Sequence, residues 1–160
     1  MSEFEALYQR YAADVFRFAL YLCGDRAEAE DIAAETFVRV WTTRDDLRAP
    51  TVKAYLFTIA RNLHRDHRRQ QWRRSELSEG LADGGPGPDA KAAGRVELDA
   101  VLKALQSLPE LDRAALLMRA QDEMPYEEIA ATLGLSLPAA RVKVHRARVR
   151  LAALCGRKES

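Results

Sequence analysis

No apolar run in the 160 residues reaches the roughly 20 that a bilayer span needs, and the start Met1-Ser2-Glu3-Phe4-Glu5 lacks the basic-then-apolar order of a secretory leader. Both absences point to a chain that stays in the cytoplasm. Cysteine and histidine are scarce, at two and three residues. Cys23 and Cys155 lie far apart, so neither a disulfide framework nor a repeated Cys/His zinc spacing is present, and both thiols read as free. The common catalytic signatures are missing as well: there is no glycine-rich phosphate loop, no His/Glu metal spacing and no nucleophile elbow. The chain therefore reads as a non-enzyme with no cofactor. Net charge is close to absent, at +1 from 25 Lys+Arg against 24 Asp+Glu. With 48% hydrophobic and 31% charged residues, a soluble globular protein of one or two small domains remains.

The near-zero total hides a strong alternation. Residues 1–50 carry 10 acids and 6 bases, 51–74 carry 1 and 7, 75–112 carry 8 and 3, 113–133 carry 4 and 2, and 134–160 carry 1 and 7. One basic block alone is usually a solvated helix face. Two, each near a recognisable helix, point to a polyanion touched at two places.

Apolar spacing places the helices. Phe4, Leu7, Tyr8, Tyr11, Val15, Phe18 and Leu22 recur at steps of three and four and form one stripe on a helix that Cys23-Gly24 ends. Asp25 is positioned to cap a second helix, whose buried face is Ile32, Ala33, Thr36, Phe37, Val40 and Trp41; Phe37 and Trp41 continue the stripe as core. After the polar stretch 42–49 and Pro50, Thr51 can cap a third helix, buried through Tyr55, Leu56, Ile59, Ala60 and Leu63 and ending in an Arg-rich tail. Residues 75–94 hold Gly80, Gly84, Gly85, Pro86, Gly87 and Pro88 without apolar periodicity, which predicts a flexible linker. A second helical domain follows, with Pro109 opening one of its helices. The expected fold is all-α: two small helical domains, 1–74 and 95–160, joined by that linker.

The sharpest local signal is near the end. A short helix from Pro125 stops at Gly134, which can adopt a left-handed turn, and Ser136 caps a basic helix, so the pair reads as a helix-turn-helix. The second helix of such a pair normally lies in the DNA major groove. An ordinary helical hairpin with a charged outer face is the alternative.

Several blocks, in order, carry a family resemblance. Glu30-Asp31-Ile32-Ala33-Ala34-Glu35-Thr36-Phe37-Val38-Arg39-Val40-Trp41 resembles region 2.2 of extracytoplasmic-function (group 4) RNA polymerase sigma factors. Ala54-Tyr55-Leu56-Phe57-Thr58-Ile59-Ala60-Arg61-Asn62-Leu63, with Asp66 and Arg68-Arg69 after it, resembles regions 2.3 and 2.4. Leu108-Pro109, Tyr126-Glu127-Glu128-Ile129-Ala130 and His145-Arg146-Ala147-Arg148 resemble region 4. The resemblance implies that the first domain is sigma region 2, the second is region 4, and the activity is promoter-specific initiation by core RNA polymerase.

The resemblance also implies roles. Asp31, Ile32, Glu35 and Arg39 belong to the surface that docks on the beta-prime clamp helices, with the beta flap as a further contact. Asp31 and Glu35, four apart, share one helix face, while Ile32, Thr36 and Val40 point elsewhere. Lys53, Tyr55, Arg61, Asn62, Arg65, Arg68 and Arg69 fall where the family holds the minus-ten element. Lysine and arginine there suit phosphates, and Asn62 offers a donor and an acceptor to a base edge. Tyr55 fits a core position as well as a stacking platform. His64 and His67 read as a polar face of this helix rather than a metal pair. Arg141, Val142, Lys143, His145, Arg146, Arg148 and Arg150 fall where the family reads the minus-thirty-five element. Leu137, Ala139 and Val142 depart from the polar residues relatives carry more often, and Val142 could pack on a thymine methyl. An anti-sigma partner is usual in the family. The alternative is a one-component helix-turn-helix regulator that binds duplex DNA without polymerase.

Overall fold

Several of the helices begin or end on a cap that the local sequence provides. In the computed structural model, which describes residues 2–43, 51–77 and 93–156, Ser2 and Glu5 form a capping box at the start of α1 (Glu3–Cys23). Gly24 closes α1 with φ 78° and donates its N–H to Leu20 O at 2.7 Å. Asp25 accepts from Glu28 N at 3.2 Å and opens α2 (Arg26–Thr43). Thr51 accepts from Ala54 N at 3.1 Å and opens α3 (Val52–Leu77). After α4 (Ala93–Gln106), Pro109 precedes α5 (Glu110–Asp122) and Pro125 precedes α6 (Tyr126–Leu133). Gly134, at φ 70°, ends α6, and Ser136 accepts from Ala139 N at 3.1 Å to open α7 (Leu137–Cys155).

The first three helices bury one another. Phe18 and Phe57 stack at 4.3 Å between ring centroids, with Val15 and Leu22 of α1, Ile32 and Phe37 of α2 and Leu56 and Ala60 of α3 around them. Thr36 is buried in this core and satisfies its hydroxyl on Ile32 O at 2.7 Å. Trp41 departs from the core assignment made for it. It sits in the last turn of α2, where it is 52% exposed and packs T-shaped against Phe4 at 4.8 Å between ring centroids. In the second unit α5 is the central helix, with residues 112–118 buried without interruption, and α6 and α7 pack on it through Ile129, Ala140 and Val144.

The two units form one packed body in this conformation. α1 rests on α4 and α5, and α3 rests on α6. At the junction the buried Arg113 guanidinium donates to Leu105 O at 3.0 Å, Leu108 O at 3.1 Å and Leu22 O at 2.7 Å, tying the ends of α4 and α1 to α5. Gln106 Nε2 adds a bond to Tyr21 O at 3.2 Å. A Cβ on Gly24 would stand 3.0 Å from the Gln106 side chain. The linker expected over 75–94 is helical at both ends: α3 continues through Leu77, since no glycine or proline interrupts it, and α4 starts at Ala93. The rest of that segment, 78–92, lies outside the described residues, as do positions 44–50 of the polar loop.

Arg113→Leu should lower unfolding free energy by about 2–4 kcal/mol, because it removes the guanidinium donor from the carbonyls of Leu22 and Leu108, while Leu105 O keeps its bond from Leu108 N. Urea unfolding followed by circular dichroism measures it. A loss near zero would mean that water reaches these carbonyls.

Candidate nucleic-acid interface

α3 carries most of the basic residues of the first unit, and its length separates them into two groups. Asn62, Arg65, Arg68 and Arg69 are exposed, with Arg69 holding Asp66 at 3.0 Å. Lys53 and Arg61 are instead drawn into the junction. Lys53 Nζ lies 3.0 Å from Asp122 Oδ1 and 3.4 Å from Asp14 Oδ2, and Arg61 makes a two-pronged pair with Glu110 at 2.7 and 2.8 Å. Thr51 Oγ1 donates to Glu128 Oε2 at 2.6 Å. Two of the five cations expected to hold phosphates, Lys53 and Arg61, are thus matched by carboxylates of the second unit.

Burial and pairing compete in these contacts. Burial works against the charge of Glu110, but Arg61 outweighs it and holds the carboxyl below its ordinary value. Burial also opposes the Lys53 ammonium, and Asp122 with Asp14 raises it regardless. The Asp122 side chain is almost wholly buried, so desolvation pushes its carboxyl up and Lys53 offsets this only in part. Burial lowers the Arg113 guanidinium as well, with Glu110 the main opposing charge.

Tyr55 and His64 are placed by packing. Tyr55 is half-buried and lines a small apolar pocket with Phe4, Leu7, Val40 and Val52, which favours the core reading over an open stacking platform. His64 is buried rather than on an outer polar face; its Nδ1 and that of His67 each stand 3.6 Å from Glu28 Oε2, because α2 covers this side of α3. Among the described residues no group of three His, Cys, Asp or Glu side chains is placed to hold a metal ion. Both cysteines are free; burial pushes the Cys23 thiol up to about 12, so it stays protonated.

The outer face of α2 presents Asp31, Glu35 and Arg39, the last two 3.7 Å apart as an exposed ion pair. Ile32 does not belong to this surface. It is fully buried against the bundle, because it lies on the apolar stripe that α2 turns inward. The same outer face holds an apolar residue that the motif reading passed over: Val38, 58% exposed, seven positions from Asp31 and three from Glu35. Its spacing from the two acids was the available signal.

In the last helix pair, Arg141, Val142, His145, Arg146, Arg148 and Arg150 are all exposed on α7, while Lys143 is half-buried. The buried Asp112 of α5 faces Lys143 at 3.4 Å and Arg146 at 3.3 Å, holding both stems against the unit while Arg146 remains largely exposed. Arg141 stands over the Tyr126 ring at 5.7 Å, tying α7 to α6. No local pattern in the sequence marks Asp112, Glu110 or Asp122 as partners of these cations.

Two family models match in succession: sigma-70 region 2 over residues 7–74 and sigma-70 region 4 over 98–151. The chain belongs to the sigma-70 family. Within it, the chain is 33% identical to the extracytoplasmic-function sigma factor SigM of Bacillus subtilis over 96% of this chain and 95% of that protein. It is 34% identical to SigE of Mycolicibacterium smegmatis, covering 94% of this chain but only 61% of the relative. Among solved structures, the sigma factor RpoE in complex with the anti-sigma factor NepR from Bartonella quintana superposes with a TM-score of 0.84 at 26% identity, covering 98% of this chain and 99% of that one. CnrH in complex with the cytosolic domain of CnrY gives 0.74 at 28%, covering 98% and 89%. In sigma terms, α1–α3 carry the region 2 match and α4–α7 the region 4 match.

The contact between the two sigma regions should depend on Glu110. Its depressed folded value means that its stabilising contribution is present above the ordinary carboxylate range and is lost as pH falls through the lower folded value. Glu110→Gln should shift the closed-to-open ratio by about tenfold at neutral pH, as expected for loss of a charged hydrogen-bond pair. Below the folded value, variant and wild type should coincide. Energy transfer between dyes on the two regions measures both points.

Proposed function

We propose that this sigma factor joins core RNA polymerase and directs initiation at promoters with minus-ten and minus-thirty-five elements. The observation that carries the reading is the pairing of two separate basic helices, α3 and α7, with a distinct acidic face on α2 in one chain that matches both sigma regions. Asp31, Glu35 and Arg39 dock on the beta-prime clamp helices with Val38 as the apolar centre, and region 4 meets the beta flap. Asn62 takes a base edge of the minus-ten strand, and Arg65, Arg68 and Arg69 hold its phosphates. Arg141, Val142, Lys143, His145, Arg146, Arg148 and Arg150 face the minus-thirty-five duplex. Lys53 and Arg61 join the strand once regions 2 and 4 part, exchanging carboxylates for phosphates. The relatives solved with anti-sigma proteins support an anti-sigma partner here too. The chain itself performs no catalysis, since nucleotide transfer belongs to the polymerase. No described helix is long and apolar enough to cross a membrane, and a cytoplasmic location suits these partners.

Run-off transcription with purified core enzyme on a promoter library tests the reading. Core-dependent transcripts from a two-element promoter are expected, whereas a footprint on duplex DNA without core would favour the one-component regulator. Asp31→Arg with Glu35→Arg should abolish co-purification with core while leaving helical content intact; unchanged co-purification would remove α2 from the docking surface.

Base readout and phosphate positioning should separate along α7. Arg146→Ala should relax preference at one or two minus-thirty-five positions by about 1–3 kcal/mol. Arg150→Ala, one turn further on, should weaken binding to all sequences and flatten its salt dependence. Competition binding against a panel of minus-thirty-five variants at two salt concentrations distinguishes them, and identical sequence profiles for wild type and Arg146→Ala would exclude Arg146 from readout.

A further inference from the structure

Beneath the basic helix α7 lies a buried carboxylate, Asp112, at the third position of α5, with 6% of its side chain exposed. Burying a carboxylate is costly unless cations answer it. The neighbouring Arg113 does not, since its N–H groups are aimed at carbonyl oxygens of the junction. A helix start favours negative charge, but an exposed carboxylate would have the same benefit, so the helix start does not account for a place under α7. The partners of Asp112 are on α7 itself: Oδ1 faces Lys143 Nζ at 3.4 Å, and Oδ2 faces Arg146 Nη2 at 3.3 Å and Arg146 Nε at 3.4 Å. Among the described residues no other carboxylate pairs with a cation of α7.

The two contacts reach different parts of the helix. At 100° per residue Arg146 stands about 60° from Lys143 and about 40° from Val142. It therefore lies between the flank that packs on α5 and the outermost line, where Val142 and Val149 are more than half exposed. On the opposite flank Arg141 lies over the Tyr126 ring. Arg146 thus combines a buried counter-charge with a side chain that is still 59% exposed. A guanidinium is a rigid plane of N–H donors; Oδ2 takes the edge formed by Nε and Nη2, which leaves Nη1 and the outer N–H of Nη2 as a fork at the free end. Guanine presents two acceptors, O6 and N7, that fit such a fork. The distances are long for close hydrogen bonds, so the hold is mainly electrostatic, and burial protects it from screening by salt. We infer that Asp112 is a positioning residue for minus-thirty-five readout: it fixes the Arg146 plane so that the free end of the guanidinium meets a guanine edge, and by answering Lys143 as well it withholds charge from the phosphates. Asp112 touches no DNA itself. It raises specificity and lowers general affinity together. The inference deepens the sigma reading and rests on it.

Holoenzyme reconstituted from core polymerase and the full chain tests this by competition binding. The promoters share one minus-ten element and differ by single bases in the minus-thirty-five element, with a scrambled minus-thirty-five duplex as reference. Wild type should prefer guanine at one position by about tenfold or more, the scale of one bidentate contact. Asp112→Asn should reduce that preference to about threefold or less, while binding to the scrambled duplex rises and its salt dependence steepens by about one phosphate contact. Asp112→Glu keeps the charge and shifts the carboxylate by one carbon, so it should blunt the guanine preference without raising binding to the scrambled duplex. Added to Arg146→Ala, Asp112→Asn should change base preference no further. Full guanine preference in Asp112→Asn, or equal weakening on every duplex including the scrambled one, would overturn the inference. Loss of helical content in both variants would make Asp112 a folding residue only and overturn it too. A wild-type chain that fails to bind core, or whose holoenzyme ignores the minus-thirty-five element, overturns the sigma reading itself, a pattern that none of the Asp112 outcomes produces.

Discussion

The relation between the two sigma regions turns on the Arg113 guanidinium, which is buried where three helix ends converge. An α-helix leaves its last carbonyls unsatisfied, and burying such an end without donors is costly. Here α1 and α4 both end against α5, and Arg113 supplies donors to Leu22, Leu105 and Leu108 at once. The guanidinium suits this because it stays charged despite burial and presents several N–H groups in a fixed plane. With that junction closed, α3 is brought against α6, and the ion pairs of Lys53 and Arg61 with region 4 follow from the placement.

The alternation of charge along the chain thereby acquires a spatial meaning. The acids of 75–133 include Glu110, Asp122 and Glu128, which meet Arg61, Lys53 and Thr51 of the preceding basic block. Lys53 and Arg61 are thereby paired with carboxylates of region 4 rather than left open to solvent. The remaining arginines on the outer half of α3 and on α7 are exposed, with Arg69 on Asp66 and Arg146 on Asp112.

Local features were legible in the sequence and non-local ones were not. Ser136, Asp25 and Thr51 cap the helices assigned to them, and Gly24 and Gly134 take the left-handed turns, because each device acts within four residues. The region 2 and region 4 motifs were readable for the same reason. Ile32 lies on the inward stripe of α2 although it stands inside the region 2.2 motif, and His64 is covered by α2, a packing that two histidines three apart do not reveal. Trp41 continues the period into the last turn of α2 yet stays half exposed there, against Phe4, because a helix end buries less of each side chain than its middle. The partners of Lys53, Arg61 and Arg146 lie 69, 49 and 34 residues away, beyond any spacing rule.

Gly24 carries two constraints at one atom. Its φ of 78° disfavours any side chain, and the space a Cβ would fill is taken by Gln106, whose amide holds Tyr21 O. A substitution there would strain the α1 turn and displace the Gln106 side chain that bonds Tyr21 O in the same step. The shape of the α1 turn and one tie across the junction of the two regions are thus set at a single residue, so a side chain there cannot alter one without disturbing the other.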